Sequence, residues 1–252
     1  MRLFDTHCHF ENADANEIAA ILMRAHEAGV ERLVAVGGGV RLNEGACLAR
    51  NLETPVKTVC ALGYDREQID AERPPIPLSE KLAAWGEIGL DYHYSPETRG
   101  EQLRLFGEQL EAARGRNLPV IIHTREADDD TLAMLREIRS RGVVHCYTGT
   151  PAFAGKLLDL GFFVSISGIV TFKAADNVRE SALYLPDDHM LIETDAPFLA
   201  PVPMRGNPNE PAFLRHTCEF LAKLRKMSTE DFAELTYRNA ENCFGMENDE
   251  AN

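Results

Sequence analysis

The chain has 252 residues, 44% of them hydrophobic and 26% charged, with a formal net charge of −14. That length suits one α/β barrel, which removes roughly 70–75% of the unfolded surface from water. The charge excludes a protein that coats nucleic acid through general electrostatics. It leaves room for one that grips a phosphate locally, because bound divalent cations reverse the field at a carboxylate-rich site.

From the N-terminus, MRLFDTHCHF turns polar by residue 5 and offers no apolar signal core. No stretch reaches transmembrane length, so the expectation is a cytoplasmic protein without membrane contact. Short apolar runs then alternate with longer helix-patterned segments. Residues 3–7, 33–37, 56–62, 84–88, 119–123, 143–146, 162–166 and 190–193 read as strands buried on both faces, as in a parallel sheet. Helices are predicted over 16–28 before Gly29, 101–116, 127–141 before Gly142, 151–160 from Pro151 to Gly161, 211–225 and 229–243. Ser228 and Asp231 are spaced as a near capping box for the last. Residues 66–77, with Pro74, Pro75 and Pro77, predict a loop with little regular structure. Gly37-Gly38-Gly39 lacks both phosphate-loop patterns and reads as a tight βα turn. Asp128, Asp129 and Asp130 read as a solvated helix start. The six cysteines form no CxxC pair and read as reduced thiols, most of them buried.

Eight buried strands alternating with helices predict a (β/α)₈ TIM barrel in one domain over residues 1–246, with 247–252 a frayed, disordered tail. The chemistry-bearing residues follow those strands. His7 and His9 in Asp5-Thr6-His7-Cys8-His9 are two apart, so on a strand both imidazoles share a face and can grip a divalent metal. Glu87 closes an apolar run between Gly86 and Gly89, where a free carboxylate is expensive to bury. His123 and His145 end two consecutive apolar strands. Asp195 follows the last strand, ahead of Pro197. Each alone has an ordinary structural explanation. Together they stand at the C-terminal ends of the first, fourth, fifth, sixth and eighth strands, which a barrel brings to one rim. Four histidines and two carboxylates supply enough mixed N/O ligands for two divalent ions: Zn²⁺, Mn²⁺, or Mg²⁺ with more reliance on carboxylates and water.

Asp-Thr-His-Cys-His, Gly-Glu-Ile-Gly-Leu-Asp-Tyr, Pro-Val-Ile-Ile-His, His-Cys-Tyr-Thr-Gly and Glu-Thr-Asp-Ala-Pro, in that order, resemble the TatD family of metal-dependent deoxyribonucleases, within the amidohydrolase-like barrels. The resemblance runs from residue 5 to about residue 245. It implies that His7, His9 and Asp195 hold one metal, that His123 and His145 hold another, and that Glu87 bridges them. It also implies nuclease activity on DNA. The segment Met204-Arg205-Gly206-Asn207-Pro208-Asn209-Glu210-Pro211 resembles the family's stretch after the last strand, making Arg205 a candidate phosphate contact. Arg125, just past His123, is a second. One departure stands out. Relatives commonly carry Gly-x-His-Pro after the third strand, where this chain has Gly63-Tyr64-Asp65-Arg66.

The expected reaction is phosphodiester hydrolysis of DNA by a water that two metals activate, with Asp195 and Glu87 as catalytic carboxylates and Asp195 taking the proton. A barrel mouth favours an exonuclease on single-stranded ends. Hydrolysis of an amide, ester or nucleobase bond is the alternative within the same chemistry. A catalytically weak binding or regulatory subunit is the alternative outside it.

Overall fold

Each predicted apolar run becomes a strand. A computed structural model describes residues 1–77 and 79–246. Its strands are β1 (Leu3–Cys8), β2 (Val30–Gly38), β3 (Lys57–Tyr64), β4 (Ala84–Asp91), β5 (Val120–Arg125), β6 (Gly142–Val144), β7 (Phe163–Ile166) and β8 (Met190–Ile192). All pair in parallel, in the order β1 to β8. A parallel bridge between Cys8 and Ala196 joins the two ends of the sheet. The result is a single-domain (β/α)₈ barrel, as expected. The tail from residue 247 lies outside the described residues.

Helices α1 (Ala15–Glu27), α2 (Val40–Asn51), α3 (Arg99–Gly115), α4 (Asp128–Ile138), α5 (Pro151–Leu158), α6 (Asp176–Tyr184), α7 (Leu214–Arg225) and α8 (Thr229–Phe244) surround and close the barrel. Local chemistry sets several ends. Asp14 and Glu17 form a reciprocal capping box at α1. Ser228 Oγ accepts from the Asp231 N–H at α8, as the spacing predicted. The predicted 127–141 helix stops early, because Arg139 adopts a left-handed cap at φ 56°. The segment 211–225 begins with a 3₁₀ turn, Pro211–Phe213, before α7.

Two helices escape the apolar pattern. The inner face of α2 is small and polar, with Asn43, Gly45, Ala46 and Ala49 buried. A Cβ on Gly45 would lie 2.2 Å from the Phe10 carbonyl oxygen, so only glycine lets α2 pack this close. In α6 only Val178, Ser181 and Ala182 are buried. Between β3 and β4 no α-helix forms among the described residues. A single 3₁₀ turn, Arg66–Gln68, gives the predicted loop its one piece of regular structure.

Two apolar clusters hold the barrel. Inside it, Phe4, Val34, Val36, Ala61, Ala84, Ile121, Val143 and Leu191 meet Tyr237, Ala240, Cys243 and Phe244 of α8. The Phe4 ring lies 5.7 Å from that of Tyr237 and 6.1 Å from that of Phe244, so α8 plugs the N-terminal end. Outside, Ile88, Leu90, Val120, Ile122 and Val144 face Leu22, Leu110, Leu132 and Leu157 of the helices. Each such side chain contributes roughly 1.5–3 kcal/mol on full burial. All six cysteines are free thiols, with Cys8, Cys60, Cys218 and Cys243 buried. Among the described residues no helix is long and apolar enough to cross a membrane.

Candidate metal centre

Two irregularities aim the ligands. Phe4 points into the barrel and Cys8 to the helices. Strict alternation would turn both the same way. A register shift between Asp5 and Cys8 reverses the phase and sends His7 and His9 inward. In β4, Ala84 points inward while Trp85 and Ile88, three apart, both point outward across a second shift. That shift turns Glu87 into the barrel. Gly86-Glu87 is a cis peptide. The strands β5 and β6 alternate regularly, so Ile121 and Val143 inside place His123 and His145 inside as well.

The six predicted residues converge. His7 Nε2 and His9 Nε2 are 3.0 Å apart. Both lie 3.5 Å from Glu87 Oε2, and 3.9 and 3.7 Å from Asp195 Oδ1. The other carboxylate oxygen, Glu87 Oε1, lies 3.3 Å from His123 Nδ1 and 3.2 Å from His145 Nε2. His7 and His145 stack at 3.9 Å between centroids. Among the described residues, three groups have ligand atoms within 4.8 Å of one another: His7, His9 and Asp195; Glu87, His123 and His145; and His7, His145 and Glu193.

The outer nitrogens explain the inner ones. His9 Nδ1 is 2.9 Å from the Val36 carbonyl oxygen, which can only accept, so this nitrogen carries the proton. His123 Nε2 is 3.0 Å from Asp91 Oδ2, and His145 Nδ1 is 3.3 Å from Glu193 Oε1. In each neutral ring the inward nitrogen is then a lone pair facing a carboxylate. Acceptors facing acceptors at this range need a proton or a metal ion between them, and imidazole with carboxylate is a donor set that suits divalent metals. The residues therefore fit a metal centre. Deeper in, His7 Nδ1 and Glu193 Oε2 are buried without a hydrogen-bond partner.

Without a metal, ring protons take up the same carboxylate charge. Burial pushes the His7 pKa down to about 4, helped by His145. Burial works against ionised Glu87, but His145, His123 and His7 hold its carboxyl well below the usual range. Burial also works against charged His145, yet Glu87 and Glu193 hold its pKa well above the ordinary value. Asp195 is pushed up to about 6 by burial, partly offset by His145 and His9.

Sequence reasoning missed the supporting groups. Asp91 and Glu193 stood inside the quoted motifs, but a carboxylate's partner across the barrel is invisible without the fold. Glu193 Oε1 also accepts the Cys146 N–H at 2.8 Å, and Asp91 Oδ1 accepts from the backbone of His93 and Tyr94. Arg66 was also missed. Its guanidinium reaches to 4.0 Å from Glu87 Oε1 and 3.5 Å from Asp91 Oδ2. The predicted substrate contacts lie further out. Arg125 stacks 4.7 Å above the Tyr94 ring, and Arg205, exposed, lies 4.0 Å above Phe172. Asn209, beyond Arg205, braces the Asp195 loop through the carbonyls of Thr194 and Phe198. Asp130 is not merely solvated, since it accepts from Tyr92 and Arg99.

Barrel and site together define a metal-dependent hydrolase of the α/β-barrel class. Residues 4–245 match the family described as TatD related DNase. YcfH of Escherichia coli K12, described as an uncharacterized metal-dependent hydrolase, is 39% identical over 98% of this chain and 97% of its own. YabD of Bacillus subtilis, described in the same words, is 35% identical over 96% of this chain and 98% of its own. The crystal structure of YjjV, a TatD homologue from Escherichia coli K12, superposes with a TM-score of 0.84 at 28% identity, covering 97% of this chain and 98% of that one. The chain belongs to the TatD family of metal-dependent hydrolases.

Proposed function

We propose that this hydrolase is a deoxyribonuclease that trims single-stranded DNA ends in the cytoplasm, using two divalent ions drawn from Mg²⁺, Mn²⁺ and Zn²⁺. One observation carries the reading. Glu87 offers Oε2 to His7 and His9 and Oε1 to His123 and His145, one oxygen to each set. Placed so, Glu87 would help to hold a cation with His7 and His9 and another with His123 and His145. Such a pair supplies Lewis acidity and a nucleophile that is available at neutral pH.

The chain's residues do the rest. Asp195, near His7 and His9 at the mouth, orients the attacking water and accepts its proton. Asp91 and Glu193 keep His123 and His145 in the tautomers that leave their inner nitrogens free. Around the mouth, Tyr94 (67% exposed) under Arg125, Phe198 (58% exposed) beside His9, and Phe172 under Arg205 provide faces on which unpaired bases stack. The net charge of −14 disfavours a long duplex footprint and favours this local grip.

Parallel assays test the reading, using labelled single- and double-stranded DNA beside cyclic amides, esters and nucleobases, with Asp195→Asn as control. Shortening of single-stranded ends, lost in the variant, is the expected result. Turnover of an amide or nucleobase with DNA untouched replaces it with the alternative hydrolase. Turnover of nothing, under any of the three metals, replaces it with a binding role.

A further inference from the structure

The only guanidinium in ion-pair range of the Glu87 carboxylate, among the described residues, belongs to Arg66. It enters from the 3₁₀ turn after β3, capped by Asp65, whose carboxylate accepts the Glu67 N–H at 2.9 Å. The Arg66 side chain is 15% exposed. A cation that deep is costly unless it is paired.

Its pairing is loose. Arg66 lies 3.2 Å from Asp65, 3.5 Å from Glu67, 3.5 Å from Asp91 and 4.0 Å from Glu87. Some arginines elsewhere close more tightly, at 2.6 Å for Arg24 on Glu210 and 2.7 Å for Arg99 on Asp130, while the buried Arg32 sits 3.2 Å from Glu241. Nor does Asp91 depend on Arg66. It already receives His123 and two backbone N–H groups. Four carboxylates thus hold Arg66 charged and in place without saturating its planar fork. Glu87, once engaged as a ligand, has less to offer it, which leaves Arg66 N–H donors available beside the Glu87 carboxylate. By contrast, among the described residues neither Arg125 nor Arg205 is ion-paired to the centre.

We propose that Arg66 is the residue that grips the substrate's phosphate, taking a non-bridging oxygen in its fork beside His123 and His145, while Arg125 and Arg205 act only on flanking nucleotides. This rests on the phosphodiester reading above. A guanidinium fork matches a phosphate bidentately, where an ammonium acts as a point charge.

The test is calorimetric titration of inorganic phosphate into the Mg²⁺-loaded protein, with Mg²⁺ affinity measured separately. Arg66→Met is expected to weaken phosphate binding about tenfold or more, the loss of one charge-assisted contact, with Mg²⁺ affinity unchanged. Arg66→Lys keeps the charge, serves if the Met variant misfolds, and is expected to weaken binding several-fold. Arg125→Ala and Arg205→Ala should leave inorganic phosphate affinity unchanged. On oligonucleotides, Arg66→Lys should raise KM. Phosphate affinity that ignores Arg66, or a loss in Arg66→Met confined to Mg²⁺ binding, overturns the proposal. If phosphate binding depends on Arg66 but no oligonucleotide is cut, the nuclease reading fails and with it the claim that the phosphate belongs to DNA, while Arg66 remains the phosphate-binding residue. If oligonucleotides are cut and neither KM nor phosphate affinity responds to Arg66, the reverse holds.

Discussion

The backbone N–H of Asp195 donates to the carbonyl of His7 at 2.9 Å. The next contact along, His9 N–H to the Ala196 carbonyl, is 2.8 Å. First and last strands therefore meet at the ligand residues themselves, so closing the barrel also brings His7, His9 and Asp195 together. The closure uses the Asp195 backbone and leaves its side chain free for chemistry.

Asp195 sits in the left-handed region at φ 57°, which Asn and Asp tolerate better than other side chains. Asp195→Asn is therefore expected to fold with stability within about 1 kcal/mol of the parent while turnover disappears. Asp195→Ala should lose roughly 1 kcal/mol more. Urea unfolding beside an activity assay checks both, and a stable Asn variant with full turnover would remove Asp195 from the chemistry.

Asp91 and Glu193 set histidine tautomers. Asp91→Asn can turn an amide N–H toward His123 Nε2, which moves the ring proton to Nδ1 and blocks the ligand atom. Glu193→Gln can do the same at His145. Each is expected to weaken metal binding by about 10- to 100-fold without unfolding the barrel. Competition with a metal-chelating dye measures it, and an unchanged affinity would show that these carboxylates do not orient the rings.

Gly89 has φ 145°, and a Cβ there would fall 1.9 Å from the His123 carbonyl oxygen. Gly89→Ala should cost at least about 1–3 kcal/mol and weaken metal binding with it, since β5 must move. Gly100, in the first turn of α3, has nothing within 4 Å of a built Cβ. Gly100→Ala should stabilise by about 0.5–1 kcal/mol. Thermal melts of the two variants should therefore shift in opposite directions.

Asp5 is fully buried, accepting from the Thr194 hydroxyl at 2.6 Å and the Thr194 N–H at 3.0 Å. Burial pushes its pKa up to about 7, against the pull of those hydrogen bonds. The folded value lies above the unfolded one, so the folded state binds the extra proton. The stability this contributes is complete below about pH 4 and is lost as pH rises to about 7, with a ceiling of a few kcal/mol. Chelator-treated protein should lose stability relative to Asp5→Asn as pH is raised from 5 to 8. A difference that is flat with pH would contradict the assignment.

The barrel was legible because its strands are continuous apolar runs and its longer helices carry apolar faces. Helices α2 and α6 were not, because α2 buries Asn43, Gly45, Ala46 and Ala49 and α6 buries little. His123 and His145 were readable from regular alternation. His7, His9 and Glu87 face inward only because register shifts in β1 and β4 reverse the phase, and no periodicity announces a shift. Arg66 lay hidden at the edge of a proline-rich loop. Its importance depends on Glu87 and Asp91, two other strand residues that only the closed sheet brings near.

The central claim is that Glu87 is shared between two cations in a nuclease. The most direct measurement is a metal series on end-labelled single- and double-stranded oligonucleotides, with bound metal counted in parent and Glu87→Gln proteins. The account predicts no activity after chelation, recovery with Mg²⁺, Mn²⁺ or Zn²⁺, and shortening from single-stranded ends. It also predicts loss of both metal occupancy and cleavage in Glu87→Gln. Full cleavage by Glu87→Gln, or by the chelated parent, would contradict it.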